Sequence, residues 1–316
     1  MIPIIDAHHH IWRQADLPWL QGSMVARIFG PYEPIRRDYP IAEYLADIKS
    51  SHVVGSVYVQ TNWAKDRAFD EAAWVQSVAD AEGWPQAIVG HADLLDDSAP
   101  QTLKALAKIP RVRGIRMQLH WHENPLYRFA AAPDVMNGTL FRENFAHVAG
   151  NNLSFDLQVF TSQMKYAADL AAAFPSVTFV LQHAGMLEDK SKDGIAQWQD
   201  GMKRLADQPN IVSKLSGLGT FIQQNDPSHI ADVIHETVTI FGSSRCLFGS
   251  NFPIEKLWTN YRELVSAHRT AVSIYHPKEQ LALLNENASR VYKLDAAPGA
   301  SIIARTLREV LQSGLW

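Results

Sequence analysis

Eight short apolar runs, rich in β-branched and aromatic residues, punctuate the chain: Ile4 to His10, Val53 to Asn62, Ala87 to Leu94, Val112 to Leu119, Ser154 to Phe160, Val177 to Gly185, Ile211 to Leu218 and Cys246 to Phe252. Segments of helix-compatible composition alternate with them: Ile41 to Ser50, Phe69 to Glu82, Ala99 to Lys108, Thr139 to Gly150, Ser162 to Phe174, Ile195 to Asp207, Ser228 to Phe241 and Tyr261 to Ser273. The mean repeat, about 34 residues, is long enough for a strand, a crossover helix and two loops, which predicts parallel strands with right-handed crossovers. Eight units predict an α/β fold closed as a TIM (β/α)8 barrel, one domain over residues 1–295. Residues 296–316 form a tail with helical spacing (SIIARTLREVLQSGLW) after a Pro-Gly break, expected to pack on the barrel or on a partner subunit. The first connection, Ile11 to Ser50, is longer than the others. It carries Trp12, Pro18, Trp19, Pro31, Pro34 and Pro40 and is expected to cap the barrel mouth, the face where such barrels place their sites.

Strand parity then sorts the polar residues within the runs. In IDAHHH, His8 and His10 share a face with Asp6 while His9 points the other way. Neutral imidazoles at a strand end can bind a divalent cation, and Asp6 could orient one of them. In VRGIRMQLH, the apolar Ile115, Met117 and Leu119 should face helices, turning Arg116, Gln118 and His120 inward. A guanidinium there suits a carboxylate or an oxyanion, or a core salt bridge. The fifth run turns Asp156 and Gln158 inward and the seventh Lys214 and Ser216. A lysine buried in a barrel must meet a carboxylate such as Asp156 or contact an anionic ligand. Gln60, His91 and Asp93 are further polar candidates, each equally open to a structural role. The sixth run ends in His183, placed to act as a ligand or general base. The eighth ends in Asn251, with Glu255 following.

Composition narrows the partners. A hydrophobic share of 47% with 20% charged residues is globular. A net charge of −4 without a Lys/Arg cluster points away from nucleic acid and toward a small molecule. Cys246 is the single cysteine, so neither an intrachain disulfide nor a cysteine metal cluster is available. No leader pattern or run of about 18 apolar residues is present, so a soluble cytoplasmic protein with no membrane partner is expected.

The stretches IDAHHHIW, VYVQ, GHADL, RGIR, FDLQVF, FVLQHAGM, KLSGLG and FGSNFP together resemble the amidohydrolase superfamily, in its lactonase-like branch of TIM-barrel hydrolases. The resemblance runs from about residue 2 to residue 295 and is specific because the eight motifs stand in order on eight strand ends. It implies His8 and His10 as the first-strand pair, His183 as the sixth-strand histidine and position 251 as the eighth-strand catalytic position. Most of the superfamily has aspartate there, contacting metal and taking a proton from water. This chain has Asn251, whose amide cannot accept that proton as a carboxylate does. Gln158 stands where binuclear relatives place histidine, so two metals are not expected. One zinc on His8, His10 and His183 is the implied cofactor, and a metal-free pocket, as in some lactonases of the branch, stands beside it.

The leading expectation is hydrolysis of a lactone of a sugar acid or an aromatic-degradation intermediate, an anionic or polyhydroxylated small molecule. Water would attack with His183 or Glu255 as base and Asn251 positioning it. Arg116, Lys214, Gln60 and Gln158 would bind substrate, with Trp12 and Trp121 as walls. Two alternatives remain: a zinc-dependent decarboxylase of the same superfamily, and a ligand-binding barrel that has lost catalysis at Asn251. A homo-oligomer is also compatible with the tail.

Overall fold

The computed structural model describes residues 1–294, and the predicted helical tail lies outside the described residues. Eight parallel strands run in the order β1 to β8: β1 Ile4–His9, β2 Val53–Val59, β3 Ala87–Gly90, β4 Val112–Ile115, β5 Ser154–Leu157, β6 Phe179–Leu181, β7 Ile211–Leu215 and β8 Cys246–Phe248. The helices α1 Ile41–Ile48, α2 Ala68–Glu82, α3 Ala99–Leu106, α4 Thr139–Gly150, α5 Met164–Ala173, α6 Lys192–Ala206, α7 Pro227–Phe241 and α8 Tyr261–Val272 follow the strands in turn. This is a TIM (β/α)8 barrel. Strand and helix alternate because each strand buries both faces, one against the helices and one inside the barrel, as the fully buried β3, β5, β6, β7 and β8 show.

The sheet closes where β1 meets the chain just beyond β8. His9 bridges Phe252, and Asn251 and His10 donate their backbone N–H groups to His8 and Phe252 across the seam, each at 2.7 Å. Asp6 secures this seam. Its buried carboxylate accepts from Tyr44 and Tyr261, from the hydroxyl and backbone N–H of Ser250, and from the His8 backbone N–H. A buried carboxylate is tolerable only when its lone pairs are answered in this way.

Two apolar cores result. The larger lies between strands and helices. The smaller fills the barrel with Ile5, Ala7, Val57, Val59, Val89, Val180, Val212 and Leu247. Three further helical turns, Pro277–Leu281, Ala282–Glu286 and Asn287–Val291, follow α8, and Ala288, Val291 and Tyr292 join that inner core. No helix among the described residues is long and apolar enough to cross a membrane.

Candidate active site

The cavity opens at the C-terminal ends of the strands, under the segment that follows β1. His10, Trp12, Gln60, Arg116, Gln158, His183 and Asn251 line it, together with Trp19, Arg27, Phe29, Gln118, His120, Arg128, Phe129, Thr220 and Phe221. The strand ends bring the first group together; loops supply most of the second.

The β1 end corrects the parity reading. The pairing of Asp6 with Ser56 and of His9 with Tyr58 leaves one extra residue on β1, a bulge. Asp6 therefore faces helices α1 and α8 through Tyr44 and Tyr261, not the cavity, and orients no imidazole side chain. His8 turns inward, its ring 5.0 Å from that of His10 and 4.9 Å from that of His183. His9 packs outward, stacked on Tyr44 at 3.9 Å. His10 Nδ1 donates to the Val59 carbonyl at 2.7 Å, which leaves Nε2 as its lone pair.

His183 lies past β6, within a turn where His183, Ala184, Gly185 and Met186 all have φ between 48° and 73°. Left-handed backbone costs about 1–2 kcal/mol at each non-glycine residue, so the surroundings must hold it. Trp198 Nε1 donates to the Ala184 carbonyl at 2.8 Å, and Met164, Met202 and Trp198 crowd Gly185 so closely that a Cβ there would clash. The turn sets His183 Nδ1 2.9 Å from Ser216 Oγ. Gly217, at φ 60°, lets β7 approach, since a Cβ there would sit 2.5 Å from His183 Nδ1.

All three imidazoles are neutral. Burial pushes His10 and His183 down to about 3, with nearby Arg116 and Lys214 adding to the effect, and holds His8 well below its ordinary value. Neither ring nitrogen of buried His8 has a hydrogen-bond partner.

Arg116 crosses the cavity floor. Nη1 donates to Gln182 Oε1 at 3.0 Å and Nη2 to the Gln60 carbonyl at 2.5 Å, while the buried Nε has no partner. Burial pulls its guanidinium down to about 10, still charged at neutral pH. Lys214 does not join it. Lys214 Nζ meets Asp156 at 2.5 Å with both side chains fully buried, so the pairing alternative accounts for it and the substrate-binding one does not. Asp156 also accepts from Gln182 Nε2 and the Tyr292 hydroxyl. Gln182 thus links the ion pair beneath the floor to Arg116 within it.

Glu255 occupies the first turn after Asn251, behind the cavity wall. Oε2 accepts from Trp258 Nε1 at 2.8 Å, Oε1 has no partner, and the residue is 2% exposed. Burial pushes its carboxyl up to about 8. The Asn251 side chain, at φ 57° on the closing seam, stands within hydrogen-bonding reach of Glu255 on one side and His10 on the other.

The amidohydrolase family matches residues 5–294 of this sequence. The chain belongs to it. Over 298 residues the chain is 33% identical to an uncharacterized protein of Sinorhizobium fredii, covering 93% of this chain and 99% of the relative. It is 30% identical over 306 residues to an L-fucono-1,5-lactonase of Burkholderia multivorans, covering 92% and 96%. A crystal structure of an amidohydrolase from Burkholderia multivorans with bound zinc superposes with a TM-score of 0.78 at 26% identity, covering 93% of this chain and all of that one.

In this amidohydrolase the imidazoles of His8, His10 and His183 are suitable donors in kind. Among the described residues, however, no group of three His, Cys, Asp or Glu side chains is arranged to hold a metal ion. Gln60 and Gln158 face the cavity and each keeps one amide atom without a partner, Nε2 and Oε1 respectively. Trp12 walls it, whereas Trp121 stands back and carries the guanidinium of Arg128 on its ring at 5.0 Å. Sequence reasoning placed Trp19 on the capping segment but missed Arg27, Phe29 and Arg128, which lie on irregular segments without a period to mark a face. His120 was placed inward by parity but given no role. It is buried, lines the cavity and has an unpartnered Nδ1.

Proposed function

We propose that this amidohydrolase hydrolyses a lactone, by attack of water on the ring carbonyl. The observation that carries the reading is the pairing of two neutral imidazoles and Asn251 with the free Nε–H of Arg116 in one cavity lining. Acceptors that can hold an attacking water there stand beside a charged donor that can meet an oxyanion. His183, steadied through Nδ1 by Ser216, offers Nε2 to the water and takes its proton. A carbon–oxygen bond forms to the carbonyl carbon, and charge gathers on the carbonyl oxygen near Arg116. The ring carbon–oxygen bond then breaks, and the proton held on His183 passes to the departing alkoxide. Asn251 orients the water, and Glu255 fixes which way the Asn251 amide points.

The test is a panel of carboxylated and neutral lactones followed by acid release, with the wild type and His183→Asn. Ring opening with one acid equivalent per turnover is expected, falling at least about 10²-fold in kcat/KM for the variant, as for loss of a general base. Carbon dioxide release without ring opening, no turnover of any lactone, or an undiminished variant would each overturn the assignment.

A further inference from the structure

The cavity wall carries three guanidinium groups, Arg27, Arg116 and Arg128, and no Asp or Glu side chain. None of the three forms an ion pair among the described residues. Arg27, on the capping segment, stacks over Trp19 at 5.4 Å with its buried Nε unpartnered. Arg128, on the loop after β4, spends Nε and Nη2 on the carbonyls of His122 and Glu123. Between the rim and the floor, His120 feels the charge of both Arg116 and Arg27, and burial holds it neutral.

Such a wall contrasts with a chain whose net charge is −4. Positive charge left without carboxylates inside a concave site concentrates anions and is offset when one binds. Beside the guanidinium groups the wall mixes the aromatic rings of Trp12, Trp19, Phe29, Phe129 and Phe221 with neutral amides. The acceptors the wall offers are neutral amides such as Gln158 Oε1, with no carboxylate among them. A guanidinium fork matches a carboxylate in geometry as well as charge.

We propose that the substrate is an anionic lactone whose carboxylate, remote from the ester, seats on Arg27 with Arg128 at the cavity rim. This rests on the lactonase reading of the same site. It separates the chain's specificity from that of a catalyst for neutral sugar lactones.

Two measurements test it. The first needs no catalysis: tryptophan fluorescence of the native protein is titrated with glutarate and with its uncharged diamide. Glutarate is expected to bind at least tenfold tighter than the diamide, and Arg27→Gln and Arg128→Gln each to erode that difference to under threefold. Equal binding of the two probes to the wild type overturns the proposal. The second compares a five-membered lactone bearing a carboxymethyl group with its methyl ester. The carboxylate form is expected to be preferred at least tenfold in kcat/KM, mainly through KM, with the preference lost in Arg27→Gln. Equal or better turnover of the methyl ester, or of neutral sugar lactones, overturns the anionic assignment while leaving the lactonase reading standing. If no lactone is opened, the lactonase reading fails and the fluorescence titration alone decides the anion site.

Discussion

Replacing Glu255 with glutamine should make this protein more stable and less active. The carboxyl is buried, has no cation partner and leaves Oε1 unsatisfied, and burial raises it from 4.5 to about 8. The unfolded chain releases that proton near 4.5, whereas the folded one keeps it until about 8. Between these values the unfolded state binds fewer protons, so native stability drains away as pH rises, and the full cost is reached above pH 8. At about 1.4 kcal/mol for each pH unit, the displacement amounts to roughly 5 kcal/mol as an upper bound. Glutamine keeps an acceptor for Trp258 Nε1 and has no proton to lose. Glu255→Gln should therefore melt with the wild type near pH 4 and several degrees above it at pH 9, up to roughly 10–20 °C on the scale of about 2–4 °C per kcal/mol. Activity should move the opposite way above about pH 8, falling tenfold or more, because there the ionised carboxylate only accepts, whereas an amide facing an amide no longer fixes the orientation of Asn251. Melting curves by calorimetry from pH 4 to 9, alongside kcat/KM on the best lactone, measure both. A variant that melts lower than wild type at pH 9 would refute the burial argument, and one with undiminished turnover would refute the positioning role.

Asp156→Asn strands Lys214 without its carboxylate and should cost about 3–5 kcal/mol in chemical denaturation, with kcat/KM also falling as Gln182 loses its anchor beneath Arg116. A loss under about 1 kcal/mol would show that the pair contributes little. Gly217→Ala forces a Cβ against His183 Nδ1 at φ 60° and should lose about 1–3 kcal/mol with at least a tenfold drop in turnover; wild-type kinetics would contradict the close approach. Asp6→Ala removes the acceptor of five hydrogen bonds and should lower the melting temperature by about 10 °C or prevent soluble expression; a change of a degree or two would mean the seam is held elsewhere.

The barrel was legible in the chain because periodicity survives wherever strands are regular. Alternation correctly turned Arg116, Gln118 and His120 inward and Ile115 and Leu119 toward the helices, and did the same for Asp156 and Gln158 on the fifth run and for Lys214 and Ser216 on the seventh. It failed at β1, where a single extra residue reverses the face of everything before it and sends Asp6 to the seam. The runs themselves were read too long at their C-terminal ends. The sixth run, read as Val177 to Gly185, is strand only at Phe179–Leu181, and His183 owes its position to a left-handed turn that no alternation encodes. Arg27 and Arg128 were invisible for a different reason. Their loops have no repeating face, and contacts with Trp19 and Trp121 and hydrogen bonds to loop carbonyls, none tied to a strand register, aim them at the mouth. The helical turns from Pro277 were missed as well, although Tyr292 reaches through the barrel floor to Asp156.

The same geometry explains how the last three strands aim their contributions to the site. Asn251, Gly217 and the turn at His183 all have positive φ, and they follow three consecutive strands, β6, β7 and β8. Left-handed residues beyond a strand end bend the chain sharply, and here the bends set His183 against Ser216 and bring Asn251 beside His10. The two non-glycine bends are unfavourable alone and are clamped: Trp198 holds the carbonyl of Ala184, and Asp6 holds Ser250 beside Asn251. The clamps are buried and packed among helices, while the residues they aim face the cavity. Strain at these bends is thus supported from the scaffold side, which leaves the cavity side free to present unpartnered atoms to a substrate.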